Sequence, residues 1–201
     1  MQGRKCSVMR RNQLMPLAVT FILLGAVAGA VIYTNNVVKS SEGRVDFEAE
    51  LVTEEGSRMF RISELRGKIT ILEFTYIGCS GCEYLHRTGY MQQLYSKYKD
   101  KIEIVSIFLY YPYDSLDYIR RYREEFKINW KYMAVYRSGD LIMELKLPAL
   151  FTHLFLDEDG FERFRKVGNI NYVKEMFPYV IELMLEEDYE TLKRLSDPIE
   201  G

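Results

Sequence analysis

An α/β fold follows from three features of this sequence. Strongly β-forming apolar runs at residues 69–76, 102–109 and 130–136 alternate with segments of helical apolar spacing, the pattern of a parallel sheet covered by helices. Shorter strand pairs stand at both ends of that series, each separated by a turn, as hairpins are. The chain has 201 residues, 48% apolar and 28% charged, which suits one domain of ordinary size with something in front of it.

The domain opens near Phe47. Residues 47–53 alternate as a strand does, Glu55-Gly56 supplies a turn, and residues 59–62 close a short hairpin. Residues 69–76 form a buried central strand. From Cys79 onward, Tyr84, Leu85, Met91, Leu94 and Tyr98 keep one helical face apolar. Residues 102–109 make the next strand, too continuously apolar for a sheet with one wet face and therefore parallel to the first. A helix follows over 115–126 with Asp114 as N-cap, then a third parallel strand at 130–136 and a short helix at 139–145. Residues 151–156 and 161–166 pair across the turn 157–160. A closing helix spans 173–187, interrupted or initiated at Pro178, and its acidic run Glu186-Glu187-Asp188 reads as a solvated end.

Residues 14–33 carry no charge and are long enough, at about 1.5 Å per residue, to cross a bilayer. Arg4, Lys5, Arg10 and Arg11 precede them, so the positive-inside rule keeps the N-terminus in the cytoplasm and exports everything after Tyr33. The competing reading is a cleaved signal peptide, with Ala26-Val27-Ala28 or Ala28-Gly29-Ala30 as the cut. An anchor is preferred, because the apolar run continues past both cuts. Gly25 and Gly29 form only a weak helix-packing signal. The layout is then a basic cytoplasmic segment at 1–13, a transmembrane anchor at 14–33, a polar linker at 34–46, the domain at 47–196 and a tail at 197–201. The location is a single-pass cell-membrane protein with its domain outside the cytoplasm, in contact with the lipid bilayer through its anchor. A formal net charge of −2 gives no reason to expect nucleic acid as a partner.

The chemistry centres on Gly78-Cys79-Ser80-Gly81-Cys82, where a strand ends and a helix begins. Two thiols three positions apart close a ring too short to stabilise a fold much. A thiolate in a helix's first turn is favoured by the macrodipole and by unpaired N–H groups, which makes Cys79 the expected exposed nucleophile and Cys82 the resolving thiol. Cys6 lies before the apolar run, so this pair accounts for both cysteines beyond the membrane, where disulfides persist. Glu73, six residues before Cys79 and inside the apolar strand, is a carboxyl in a costly place.

The run from Phe60 through Gly67-Lys68 to Cys82 resembles the redoxin signature of the TlpA/ResA-type thioredoxin-like family, and the resemblance extends over most of the chain beyond its N-terminus. It implies a thioredoxin-like fold with an N-terminal β-hairpin and a thiol:disulfide oxidoreductase needing no cofactor beyond its redox-active disulfide. It also implies protein thiol and disulfide substrates, of the apocytochrome or copper-site kind, and recharging by a membrane electron donor. Glu73 is in register with the family's buried acid, which accepts the resolving thiol's proton through a burial-raised pKa. The substrate-docking loop maps onto Pro148, Phe151 and Thr152, with Phe151 where the family places a cis-proline. Two further resemblances are weighed. The segments at 74–79, 105–107 and 113–116 are similar to Sco-type copper chaperones, for which Cys79, Cys82, His86 and His153 are the candidate Cu(I) ligands. A peroxiredoxin shares the hairpin, but Thr75 is four residues from Cys79 rather than three and no proline precedes it. The aromatic stretch Tyr110-Tyr111-Pro112-Tyr113 reads equally as packing or as a binding patch.

Overall fold

The structure is a computed structural model that describes residues 43–109 and 115–196. The predicted span 14–33, Cys6, Gly25, Gly29, most of the linker, the Tyr110–Tyr113 stretch, Asp114 and the tail lie outside the described residues. Among the described residues no helix is long and apolar enough to cross a membrane.

Seven strands form one sheet in the order β2-β1-β5-β4-β3-β6-β7. They are β1 (Glu48–Val52), β2 (Ser57–Arg61), β3 (Ile69–Thr75), β4 (Ile102–Phe108), β5 (Tyr132–Val135), β6 (Thr152–Leu156) and β7 (Glu162–Val167). The three apolar runs pair in parallel as β3-β4-β5, and the two hairpins flank them, β1 antiparallel to β5 and β6 antiparallel to β3. Every residue of β3 and β4 is buried, as parallel strands covered on both faces require.

Side-chain alternation then divides β3 between two cores. Leu72 and Phe74 point into a layer with Phe47, Phe60 and Leu141. Ile69 and Ile71 point into the other, with Leu85, Met91, Ile119, Trp130 and Phe177 from the helical side. By the same parity Glu73 faces this second, helical layer.

Helices α1 (Ser80–Arg87), α2 (Tyr90–Tyr98), α3 (Leu116–Glu125), α4 (Asp140–Glu144), α5 (Ile170–Leu185) and α6 (Tyr189–Leu195) complete the fold, with a 3₁₀ turn at Ile62–Leu65. The single helix expected after Cys79 is two, because Gly89 takes a left-handed φ of 70° between them. Helix α3 is capped by Ser115, whose Oγ accepts from the Tyr118 N–H at 3.2 Å. Pro178 neither interrupts nor starts α5; it lies inside it. The acidic run is not only a solvated end, since Asp188 accepts from the Thr191 N–H at 3.1 Å and so starts α6, an element the sequence pattern did not suggest.

Candidate active site

Cys79 and Cys82 are joined as a disulfide with their Cα atoms 5.4 Å apart. The strand-to-helix turn that presents them depends on Gly78, whose φ of 87° disfavours any side chain. Cys79 is the N-cap of α1, and its Sγ accepts from the Cys82 N–H at 3.3 Å. That places this sulfur at the positive end of the helix, where a developing thiolate is stabilised. The expectation of an exposed Cys79 is corrected: it is 4% exposed and Cys82 0%. The order of access, Cys79 before Cys82, matches attack followed by resolution.

The docking-loop residues sit unequally. Phe151 is half-buried, and its ring comes within 3.4 Å of where a Cβ on Gly81 would stand. Gly81 thereby admits an aromatic ring onto the middle of the motif. Thr152 is fully buried, its hydroxyl donating to the Ala149 carbonyl at 2.6 Å and its backbone paired with Phe74 on one side and Val167 on the other. It holds the loop from within. Pro148 is exposed three residues earlier. The loop is steadied by Arg165, whose guanidinium donates to the Leu145 and Lys146 carbonyls at 2.9 and 2.8 Å and to both oxygens of Glu162.

The helical-side layer, otherwise apolar, also holds a polar row. Glu73 stands in register with Ser106 on β4 and with His153 on β6, so three neighbouring strands contribute one polar side chain each at the same level. Ser106 Oγ donates to Glu73 Oε2 at 2.7 Å and accepts from Trp130 Nε1 at 3.0 Å. From α1 above, His86 brings Nε2 to 3.0 Å from Glu73 Oε1, while His153 Nε2 is 3.8 Å from the same oxygen. Neither contact is an aligned hydrogen bond, since Glu73 Oε1 and the Nε2 atoms of both histidines have no partner in hydrogen-bond geometry. His86 Nδ1 lies 2.8 Å from the Tyr122 hydroxyl. All five side chains, Glu73, His86, Ser106, Tyr122 and His153, are buried.

This arrangement corrects the expected electrostatics of Glu73. Burial does push its carboxyl up, but the two imidazoles, His86 foremost, outweigh burial and hold it below the usual carboxylate range. Burial, with the charge of Glu73 added, pushes the Tyr122 phenol well above its ordinary value. The copper reading gains no support: His86 is turned to Glu73 and Tyr122, and among the described residues no three His, Cys, Asp or Glu side chains are placed to hold a metal ion. Ser106 and Tyr122 escaped the sequence reading. Ser106 left a signal as the lone hydroxyl in the run Ile102–Phe108, whereas Tyr122 is an ordinary apolar-face residue until the fold brings it to His86.

No protein-family model matches the chain. Among characterised proteins, the thiol-disulfide oxidoreductase ResA of Bacillus cereus is 25% identical over 160 residues, 76% of this chain and 86% of that one. The ResA of Geobacillus kaustophilus is 27% identical over 157 residues with the same coverage. Of solved structures, a putative thiol:disulfide interchange protein DsbE from Chlorobium tepidum aligns with a TM-score of 0.58 and 17% identity, over 76% of this chain and 99% of that chain, which establishes the thioredoxin-like fold. The likeness to ResA-type thiol-disulfide oxidoreductases read from the sequence therefore stands, and the fold is thioredoxin-like.

Proposed function

We propose that this protein is a membrane-anchored reductant of protein disulfides outside the cytoplasm, serving the cysteines of apocytochromes or copper sites. The observation that carries the chemistry is the Cys79–Cys82 disulfide at the N-terminus of α1, with Cys79 at the cap and Cys82 fully buried. Reduced Cys79 attacks a substrate disulfide and releases one substrate thiolate. Cys82 then loses its proton and attacks Cys79 Sγ, which frees the second substrate thiolate and restores the internal disulfide. Glu73 belongs to the buried polar row that serves this proton step, and Phe151 is the surface beside the motif against which substrate docks. The charge-free span 14–33 and the four cationic residues before it support the anchor and its orientation, and a dithiol donor in the membrane returns two electrons per cycle.

The test is turnover of a model protein disulfide by the reduced full-length chain. Cys79→Ser abolishes it. Cys82→Ser instead accumulates a mixed disulfide with substrate, visible as a mass increase that dithiothreitol reverses. Activity persisting in Cys79→Ser would overturn the assignment of Cys79 as nucleophile.

A further inference from the structure

The buried row holds two histidines, the only two in the chain, and the disulfide chemistry alone does not account for them. His86 lies one helical turn after Cys82 and both are buried in α1; the four-residue spacing puts the two side chains on one face, with helical side chains leaning toward the N-terminus and so toward the turn of Cys82. Its two nitrogens meet different partners. Nε2 lies 3.0 Å from a carboxylate oxygen, which can only accept, so a hydrogen on this nitrogen is the arrangement that avoids setting two lone pairs against each other. Nδ1 faces the Tyr122 hydroxyl, which can accept from a protonated nitrogen or donate to a bare one. One rotation of that hydroxyl therefore lets His86 gain or lose a proton without stranding a polar atom. The rings of Phe126 and Trp130, which cannot titrate, also pack against His86, His153 reaches the same Glu73 oxygen from β6, and Glu83, Tyr118 and Glu125 act on Tyr122 from α1 and α3.

We propose that His86, set between Tyr122 and Glu73, is the group that holds the Cys82 proton, while Glu73 stays a carboxylate throughout and keeps the imidazole in place. This rests on the oxidoreductase reading above. In the reduced protein Cys82 is a thiol and His86 is neutral. At resolution the Cys82 S–H proton passes to the cluster and resides on His86 Nδ1, and the Cys82 sulfur attacks Cys79 Sγ. The substrate sulfur leaves as a thiolate and is protonated by water. When an incoming dithiolate donor reopens the disulfide, Cys82 leaves as a thiolate and takes the stored proton back. The low carboxyl affinity for protons at Glu73 agrees with this division of roles.

Two measurements test it on the full-length protein. Because the chain has two histidines, ¹⁵N-histidine labelling gives two imidazoles to assign. At neutral pH the Nδ1 resonance of His86 is expected to shift from the protonated position in the oxidised protein to the bare position in the reduced one. An identical protonation state in both forms overturns the proposal. The second uses 5,5′-dithiobis(2-nitrobenzoate), which reports two stopped-flow phases: thiolate release on attack by Cys79, then on resolution by Cys82. His86→Gln is expected to leave the first phase unchanged and slow the second on the order of a hundredfold, recovering as pH rises past the ordinary thiol range of about 8.5. Tyr122→Phe, a milder change, is expected to slow the second phase about tenfold. Resolution unaffected in both variants overturns the proposal, as does loss confined to Glu73→Gln. Absence of the first phase in the unsubstituted protein would instead refute the oxidoreductase reading.

Discussion

Glu73 shows at the scale of one residue how burial and partners compete. A carboxylate with 0% exposure is costly, and it persists where Ser106 donates to one oxygen and His86 stands 3.0 Å from the other. Since the folded carboxyl binds protons less well than the unfolded one, whose value is about 4.3, the unfolded chain takes up more protons on acidification. The stability Glu73 contributes is therefore complete above that unfolded value and is lost progressively as pH falls from it through the lower folded one. Glu73→Gln is expected to lower stability at pH 7 by about 3 kcal/mol, because it leaves His86 without its counter-charge, and to flatten the acid limb. Urea midpoints of the oxidised protein between pH 3 and 7 would show this, and an unchanged acid limb would contradict it. At this scale the sequence was informative about identity but not about state. A carboxyl six residues before the first cysteine stands out in an apolar run, whereas its ionisation depends on histidines 13 and 80 residues further along the chain.

Elements settle what residues face. The three parallel strands and both hairpins were legible because apolar continuity and turn chemistry are local, and so was the start of α1 at the cysteines. The split at Gly89 and the short α6 were not, since both turn on one backbone conformation or one cap rather than on periodicity. The polar row across β4, β3 and β6 was hidden for a different reason: strand register joins residues 33 and 80 positions apart, and no local pattern records it. Long-range placement also explains Arg165, 1% exposed on β7, which clasps the turn after α4 through two carbonyls and so steadies the path to Phe151. Arg165→Met keeps much of the bulk but leaves Glu162 and both carbonyls without their donor. It is expected to cost about 3 kcal/mol, measured as a lowered denaturant midpoint, and to raise amide exchange over residues 145–151. Exchange confined to β7 itself would show that the clasp does not reach the loop.

At the scale of the whole molecule, the chemistry and the compartment constrain each other. A dithiol that works by passing through a disulfide needs a setting in which its substrates are oxidised, and the cytoplasm keeps protein thiols reduced. The front of the chain supplies that setting if residues 14–33 span the bilayer with Arg4, Lys5, Arg10 and Arg11 inside. The orientation has a consequence that separates it from both a soluble and an inverted arrangement. In intact cells of the native host stripped of any outer layers, protease added outside is expected to remove a C-terminal epitope while an N-terminal epitope survives on a membrane-bound fragment of a few tens of residues. Lysis is then required before the N-terminal epitope is lost. Cleavage at the small residues around Ala28 would instead leave the N-terminal epitope off the mature protein from the start, with the domain recovered in the medium or periplasm. An anchored form would confine the dithiol to the plane of the proposed membrane donor, so releasing the domain by cleavage after the span is expected to slow its re-reduction in membranes while leaving its reaction with added dithiothreitol unchanged. Equal recharging of the bound and released forms by membranes would show that the anchor positions nothing.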